Sequence, residues 1–222
     1  MVASLLLDGA SASETARADL VRLLRPEARA DGTEPEARAV LCGVSWTRYL
    51  ELDRALGDDR PGPRFHYLDG DLEIMTTSSE HERIKKWIAD LLADYFYEFG
   101  PDVVPRGQAT LRSAFQQAGA EPDESWCLGE EKEFPDLVLE IALTSGGVSK
   151  LEAYRRFGVA EVWFRRRDRL EIFALAAGGE GYEAVPRSRL LPRLDVGLLE
   201  RCVGIPSWRE ARRTFRAGLA AG

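Results

Sequence analysis

The sequence has few of the residues that enzymes use for nucleophilic or redox chemistry. Its 222 residues include only two histidines and three cysteines, the latter scattered at positions 42, 127 and 202. Cysteines so far apart form no CxxC pair, so they indicate neither a disulfide framework nor a zinc knuckle. A nucleophile elbow, a P-loop and a dinucleotide-binding GxGxxG are also missing. Any catalysis must therefore rely on carboxylates and lysines.

Long apolar runs are also missing. No stretch approaches the roughly 18 to 20 apolar residues of a membrane-spanning helix, and Met1 to Asp8 contain no basic leader of a signal peptide. We therefore expect a cytoplasmic protein that does not bind membranes. The net charge of −7 argues against a protein that coats nucleic acid non-specifically. Local arginine clusters occur, as at 165–169, but solvated turns and helix faces are their favoured interpretation.

The chain is expected to form one main domain with extensions at both ends. Residues 1–39 are poor in large apolar side chains and should form an N-terminal arm that is helical, near 13–24, or partly disordered. The domain should occupy residues 40–205. A C-terminal helix or tail should follow over 206–222.

The spacing of apolar residues predicts the elements of this domain. A continuous apolar stripe from Ile84 to Phe99, ended by Gly100, predicts a long helix. A hairpin over 64–75, turning at Asp69-Gly70, is predicted before it. The other predicted elements are helices over 45–56, 149–157, 195–203 and 207–219, and strands over 103–112, 122–128, 136–143, 161–166, 169–175 and 182–185. This order indicates an α/β fold with a mixed central sheet flanked by helices.

A carboxylate inside a predicted central strand is the first sign of a functional site. Glu140 lies in the middle of the apolar run from Leu137 to Leu143, which is typical of a strand covered on both faces. Burial of a carboxylate is costly unless it is paired or binds a metal. The strand alone leaves two interpretations open, a metal ligand or a glutamate satisfied by an arginine or by backbone amides.

A second acid must come from a neighbouring strand. Asp136 lies on the same face as Glu140, but four residues of strand place it about 13 Å away, whereas a neighbouring strand is only about 4.8 Å away. The preceding strand offers Asp123, in Glu121-Pro122-Asp123. Asp136 is then interpreted as a structural residue at the start of its strand.

The third candidate is Lys150. In the following helix Lys150, Tyr154 and Phe157 share one face, which should pack on the sheet and direct the lysine towards the strand ends. A lysine that extends along the helix start into solvent is the alternative. Two carboxylates and a lysine suit metal-assisted phosphodiester hydrolysis, because Mg²⁺ prefers carboxylate oxygens and a lysine stabilises negative charge.

Asp123 followed by Glu140 on the next strand resembles the PD-(D/E)XK nuclease core. Five stretches in order also resemble the Uma2 (DUF820) family of restriction-endonuclease-like proteins, and together they lie within about residues 40 to 205. These stretches are Tyr67 to Met75, Ser79 to Ile84, Glu121 to Asp123, Pro135 to Glu140 and Lys150 to Trp163. The resemblance implies a restriction-endonuclease-like fold in which Lys150 replaces a lysine two residues after Glu140, where Ala142 stands.

The resemblance also implies an additional acid in the first long helix. Glu82 is the candidate for this metal ligand, although a capping box formed by Ser79 and Glu82 explains it equally simply. His81 is interpreted mainly as a packing residue at the entry of that helix. Many family members have an acid before the lysine, where this chain has Ser149.

These observations predict a DNA endonuclease that uses Mg²⁺ or Mn²⁺. Asp123 and Glu140 would bind the metal, with Glu82 as an additional candidate, and Lys150 would assist attack. A homodimer is plausible because cleavage of a duplex needs two active sites. Two alternatives stay open, namely a non-catalytic nucleic-acid- or protein-binding member of the same fold and a metal-dependent hydrolase of small phosphoesters.

Overall fold

A computed structural model of the chain describes residues 37–56, 63–142 and 149–221. The predicted helix near 13–24 lies outside the described residues. The strands are β1 (Arg38–Leu41), β2 (Arg64–Leu68), β3 (Asp71–Met75), β4 (Val103–Pro105), β5 (Leu111–Ser113), β6 (Ala118–Ala120), β7 (Glu124–Leu128), β8 (Leu137–Ile141), β9 (Glu161–Arg166), β10 (Arg169–Leu175) and β11 (Tyr182–Val185). The helices are α1 (Trp46–Leu56), α2 (Ser79–Phe99), α3 (Lys150–Arg156), α4 (Val196–Val203) and α5 (Trp208–Ala221). The predicted α/β class is thus confirmed.

The chain forms two compact units. Among the described residues, the first comprises 37–56, 63–79, 112–121 and 149–153, and the second comprises 80–111, 122–142 and 154–221.

The first unit is built on a five-stranded sheet with strand order β1-β3-β2-β6-β5. The predicted hairpin of β2 and β3 is confirmed, with positive φ angles of 48° at Asp69 and 97° at Gly70, as a tight two-residue turn requires. Helix α1 contributes Tyr49, whose ring stacks on Tyr67 of β2 at a centroid distance of 5.0 Å. These aromatic rings lie in an apolar cluster that forms the core of this unit.

The second unit contains a six-stranded sheet with strand order β11-β10-β9-β8-β7-β4. Strands β8 and β9 are parallel, whereas β7 and β8 are antiparallel, so the predicted mixed sheet is confirmed. A parallel pair needs a crossover connection, and the segment between β8 and β9 contains α3.

The apolar stripe of α2 packs on one face of this second sheet. Ile88 and Leu91 of α2 belong to one buried cluster with Leu139 of β8, Trp163 of β9 and Phe215 of α5. Helix α5 is also held to α2 by polar contacts, since Nε and Nη2 of Arg212 donate hydrogen bonds to the two carboxylate oxygens of Asp94, at 2.8 and 2.6 Å. The predicted C-terminal helix is therefore part of the core of this unit.

One predicted strand is wrong. The segment 103–112 forms two short strands, β4 and β5, which belong to different sheets. Gly107, with a positive φ of 56°, lies between them, and such a backbone conformation interrupts an extended strand. Strands β1 and β6 were not predicted. Strand β6 consists only of Ala and Gly, so it shows no alternation of apolar and polar residues.

None of the helices in the described residues combines the length and the apolar character that crossing a bilayer requires.

Gly119→Ala should destabilise the fold. An added Cβ at Gly119 would lie 2.5 Å from the Tyr49 hydroxyl oxygen and 2.8 Å from Cζ of that ring. Tyr49 is fully buried and stacked, so it cannot move aside, and overpacking of this kind costs about 1 to 3 kcal/mol. Urea unfolding measures the loss. Gly181→Ala is the control, because its Cβ would meet no atom within 4 Å; equal stability of the two variants would contradict the prediction.

Candidate active site

Asp123 and Glu140 face each other across two adjacent strands of the second sheet. Glu124 pairs with Leu139 in the antiparallel register of β7 and β8, so the next residue pair outward is Asp123 with Glu140. Side chains of directly opposed residues lie on the same face, with Cβ atoms about 4.5 to 5.5 Å apart. Each residue is only 1% exposed. The structure therefore brings together the two acids that the sequence assigned to one metal ion.

The carboxylate of Asp123 is held from two sides. Its Oδ2 accepts a hydrogen bond of 2.7 Å from the backbone amide of Ile141. Its Oδ1 lies 2.8 Å from Nε2 of His81, a fully buried residue in the first turn of α2. With the proton on Nε2 the imidazole donates to Asp123, and both contacts favour the ionised carboxylate. The orientation of Asp123 is thereby fixed by a strand on one side and a helix on the other.

Glu140 is bound by a tyrosine from the following helix. The hydroxyl of Tyr154 in α3 donates a hydrogen bond to Oε1 of Glu140. Burial raises the pKa of Tyr154 well above its ordinary value, and the negative charge of Glu140 raises it further. The phenol therefore stays protonated over the physiological pH range, so it remains a donor to Glu140.

Glu82 does not join this pair. Its Oε2 lies 2.5 Å from Nζ of Lys85, one helical turn further along α2. Within the described ranges, no group of three or more histidine, cysteine, aspartate or glutamate side chains is arranged to hold a metal ion. The structure thus offers two clustered carboxylates, Asp123 and Glu140, rather than a three-carboxylate set that includes Glu82.

The adjacent strand position carries a third buried acid. Glu124 follows Asp123 and points to the opposite face of β7, because successive side chains of a strand alternate. Burial raises the pKa of Glu124, while the nearby positive charges of Lys86 and Lys85 oppose that increase. Nζ of Lys86 lies 3.4 Å from Oε1 of Glu124. The lysines of α2 therefore offset part of the negative charge on the side of the strand opposite the carboxylate pair.

Asp136 has a structural position, as the sequence analysis expected. Its Oδ2 accepts a hydrogen bond of 2.7 Å from the backbone amide of Leu128 and lies 2.6 Å from Nζ of Lys132. These contacts join the connection between β7 and β8 to the start of β8. Asp136 therefore stabilises the start of β8, at the opposite end of the strand from Glu140.

Glu161, at the start of β9, is another buried glutamate of this sheet. It accepts hydrogen bonds from Nε1 of Trp163 at 2.9 Å, from Oγ of Ser188 at 2.7 Å and from the backbone amide of Leu190 at 3.0 Å. A buried carboxylate with this many donors is stable without a metal. Glu161 is therefore a structural glutamate satisfied by hydrogen bonds from the protein. The sequence left an interpretation of this kind open for Glu140.

Lys150 is the first residue of α3 and is half-buried. It precedes Tyr154 by about one helical turn, so the two side chains occupy the same face of α3. Tyr154 is the residue of this helix that binds Glu140.

Two residues of the site were underestimated by the sequence analysis. His81 was interpreted mainly as a packing residue, yet it binds Asp123. Tyr154 was taken as an aromatic residue that packs on the sheet, yet its hydroxyl binds Glu140. The available signals were the scarcity of histidine in the chain and the helical spacing of Lys150 and Tyr154. Neither signal could indicate which carboxylate each residue binds.

Comparison with known proteins identifies a family and similar solved structures. A model of the Uma2 family, described as "Putative restriction endonuclease", matches residues 46–204. Among solved structures the chain is similar to a protein from Anabaena variabilis ATCC 29413, described as a putative nuclease belonging to DUF820 and determined at 1.96 Å. The identity is 13%, the alignment covers 74% of this chain and 98% of that chain, and the TM-score is 0.44. No curated protein matches. The family match contains His81, Asp123, Glu140, Lys150 and Tyr154.

Tyr154→Phe should destabilise the protein by about 1 to 3 kcal/mol, the usual cost of leaving a buried polar group without its hydrogen bond. The lost donor is the one that satisfies Oε1 of buried Glu140. Thermal or urea unfolding at neutral pH measures the change. Tyr97→Phe is the matched control, because Tyr97 is 85% exposed and its replacement should have little effect. A Tyr154→Phe protein as stable as wild type would show that this contact does not stabilise the fold.

Proposed function

Because the chain belongs to the Uma2 family, we propose that it is a nuclease, and specifically a Mg²⁺- or Mn²⁺-dependent endonuclease that hydrolyses DNA phosphodiester bonds. Asp123 and Glu140 are the proposed metal ligands, and Lys150 is the proposed catalytic cation. The observation that supports this most directly is the buried, cross-strand pair of carboxylates. Two buried carboxylates that face each other repel, and a divalent cation would neutralise both.

The residues present fit a hard divalent cation. Mg²⁺ is typically held by one or two carboxylates and completes its coordination with water and substrate phosphate oxygens, so two carboxylates are sufficient. Each carboxylate oxygen has two lone-pair directions. The hydrogen bonds to Asp123 from Ile141 and His81 use one direction on each oxygen. These contacts hold the Asp123 carboxylate in place, as a metal ligand requires.

The bound ion would polarise the phosphoryl group and lower the pKa of an attacking water. The protein would supply the geometry around it. His81 holds Asp123 and Tyr154 holds Glu140, and such outer contacts fix the orientation of metal-binding side chains. They are positioning residues in this proposal, since neither would touch the substrate.

Lys150 would act on the substrate itself. Hydrolysis adds water to phosphorus and breaks one P–O ester bond, and negative charge increases on the phosphoryl oxygens as this happens. An ammonium group near those oxygens stabilises the transition state more than the ground state. Cleavage of both strands of a duplex requires two such sites, so we expect a homodimer when the substrate is double-stranded.

Asp123→Asn and Glu140→Gln should each abolish DNA cleavage and weaken metal binding, because each removes the negative charge of a proposed ligand. The measurements are a plasmid cleavage assay with Mg²⁺ or Mn²⁺ and a calorimetric titration of Mn²⁺ without DNA. Glu183→Gln, at an exposed position on β11, is the charge-matched control and should behave as wild type.

Cleavage that survives both substitutions would show that the site assignment is wrong. Wild-type protein that binds the metal and DNA but never cleaves would favour a non-catalytic member of the fold. Turnover of nucleotides or small phosphodiesters without cleavage of DNA would favour a small phosphoester hydrolase.

Lys150→Met should reduce the cleavage rate by about 100- to 1,000-fold, the usual cost of losing one charge-stabilising donor in the transition state. Mn²⁺ affinity should change little, since Lys150 is not a proposed ligand. The contrast with Glu140→Gln, which should affect both quantities, separates the two roles. A Lys150→Met protein with a wild-type cleavage rate would exclude Lys150 from catalysis.

A further inference from the structure

The turn between β9 and β10 is rich in arginine and lies near the carboxylate pair. Its sequence is Arg165-Arg166-Arg167-Asp168-Arg169. Arg167 has a positive φ of 52°, which allows the turn to be tight. Arg166, Arg167 and Arg169 are exposed, whereas Arg165 is buried.

The sheet places this turn at the edge where Glu140 lies. In the parallel pairing of β8 and β9, Glu140 is opposite Phe164 and Ile141 is opposite Arg165. Arg166 follows Phe164 by two residues, so it lies on the same face of the sheet as Glu140, about 7 Å further along the strand. Its guanidinium lies 5.2 Å from the centre of the Phe164 ring. Arg166, the first exposed arginine of the turn, therefore contacts Phe164, which is the residue opposite Glu140.

The exposed arginines have charge available for a ligand. Arg166 lies 3.1 Å from Glu171, and Arg169 lies 3.2 Å from Glu200. Ion pairs with such exposed arginines are weak and exchange easily for other anions. Within the described ranges Arg167 forms no ion pair, so its charge faces solvent.

Buried Arg165 adds an independent observation. Its Nη2 lies 3.5 Å from Asp168, but its Nε and Nη1 have no hydrogen-bond partner among the described residues. Buried guanidinium donors without acceptors are costly, and burial lowers the pKa of Arg165. An anion near the turn would stabilise this charge.

We propose that the β9–β10 turn, through Arg166 and Arg167, binds backbone phosphates of a nucleic acid strand next to the carboxylate pair. That the bound strand is cleaved at the carboxylate pair rests on the proposed function. Phosphate binding by the turn does not depend on it. Arginine suits this role because its fork of donors matches phosphate oxygens. The partner is a nucleic acid rather than an acidic peptide, because a regular series of phosphates would place successive charges at both the turn and the nearby carboxylate site.

Two arginines of α5 have a different environment. Arg212 of α5 forms a two-pronged pair with Asp94 of α2, and Arg216 lies 3.6 Å from Glu98 of the same helix. These arginines join two helices. The β9–β10 turn instead presents its arginines at a strand edge beside the candidate site.

The test is the salt dependence of DNA binding. A fluorescently labelled DNA duplex is titrated with the full chain in EDTA, which prevents metal-dependent cleavage, at several salt concentrations. Each lost phosphate contact reduces the slope of log K against log salt by about one. Arg166→Ala/Arg167→Ala should therefore lower the slope by about two and weaken binding equally for unrelated DNA sequences. Arg213→Ala is the control, since Arg213 is exposed on α5 and lies 3.7 Å from Glu210; its slope should equal that of wild type.

Three results would overturn the inference. They are an unchanged slope in the double variant, no measurable binding of the duplex by wild type, or turn-dependent binding of polyglutamate as strong as that of DNA. Circular dichroism and thermal unfolding verify that the double variant is folded, as expected for exposed side chains.

The proposed nuclease activity is tested separately. Wild type that cleaves DNA while the double variant keeps its slope would refute only the turn, and turn-dependent binding without cleavage would refute only the nuclease.

Discussion

The antiparallel register of β7 and β8 determines the chemistry available to this protein. With Glu124 opposite Leu139, Asp123 lies opposite Glu140, and both acids occupy one face of the sheet. Because side chains alternate along a strand, a shift of the register by one residue would move one of the two acids to the other face. The rest of the site depends on that alignment. With the strands offset by one residue, His81 and Tyr154 could no longer bind two carboxylates that face each other.

Two helices from different parts of the chain stabilise the pair. Helix α2 is attached to the sheet by its long apolar stripe, and this packing carries His81 to Asp123 at the helix start. Helix α3 lies in the crossover between β8 and β9 and carries Tyr154 to Glu140. The hydrophobic face of α2 and the parallel connection of β8 to β9 therefore do more than support the core. They position one hydrogen-bond donor at each acid, which offsets the cost of burying the carboxylates.

Two of the buried glutamates of this sheet, Glu140 and Glu161, have opposite roles in our interpretation. Glu161 is satisfied by an indole, a hydroxyl and backbone amides from the segment after β11, an arrangement that needs no metal. Glu140 faces another carboxylate, and like charges so close together repel unless a cation lies between them. The same residue type in the same sheet is thus structural or functional according to its cross-strand neighbour. The neighbour of Glu140 is Asp123, and this is the physical basis of the proposed nuclease activity.

The sequence by itself determined the elements whose signals are local. The stripe of α2, the Asp69-Gly70 turn and the strands β9 to β11 follow from side-chain periodicity and turn chemistry. The spacing of residues along and between strands favoured Asp123 over Asp136 as the acid beside Glu140. Only the tertiary structure decided that β4 and β5 join different sheets and that His81 binds Asp123. It also decided that Tyr154 binds Glu140 and that Glu82 pairs with Lys85. The physical reason is that these contacts join residues far apart in the chain, or depend on side-chain orientation, and periodicity reports only which face of an element is buried.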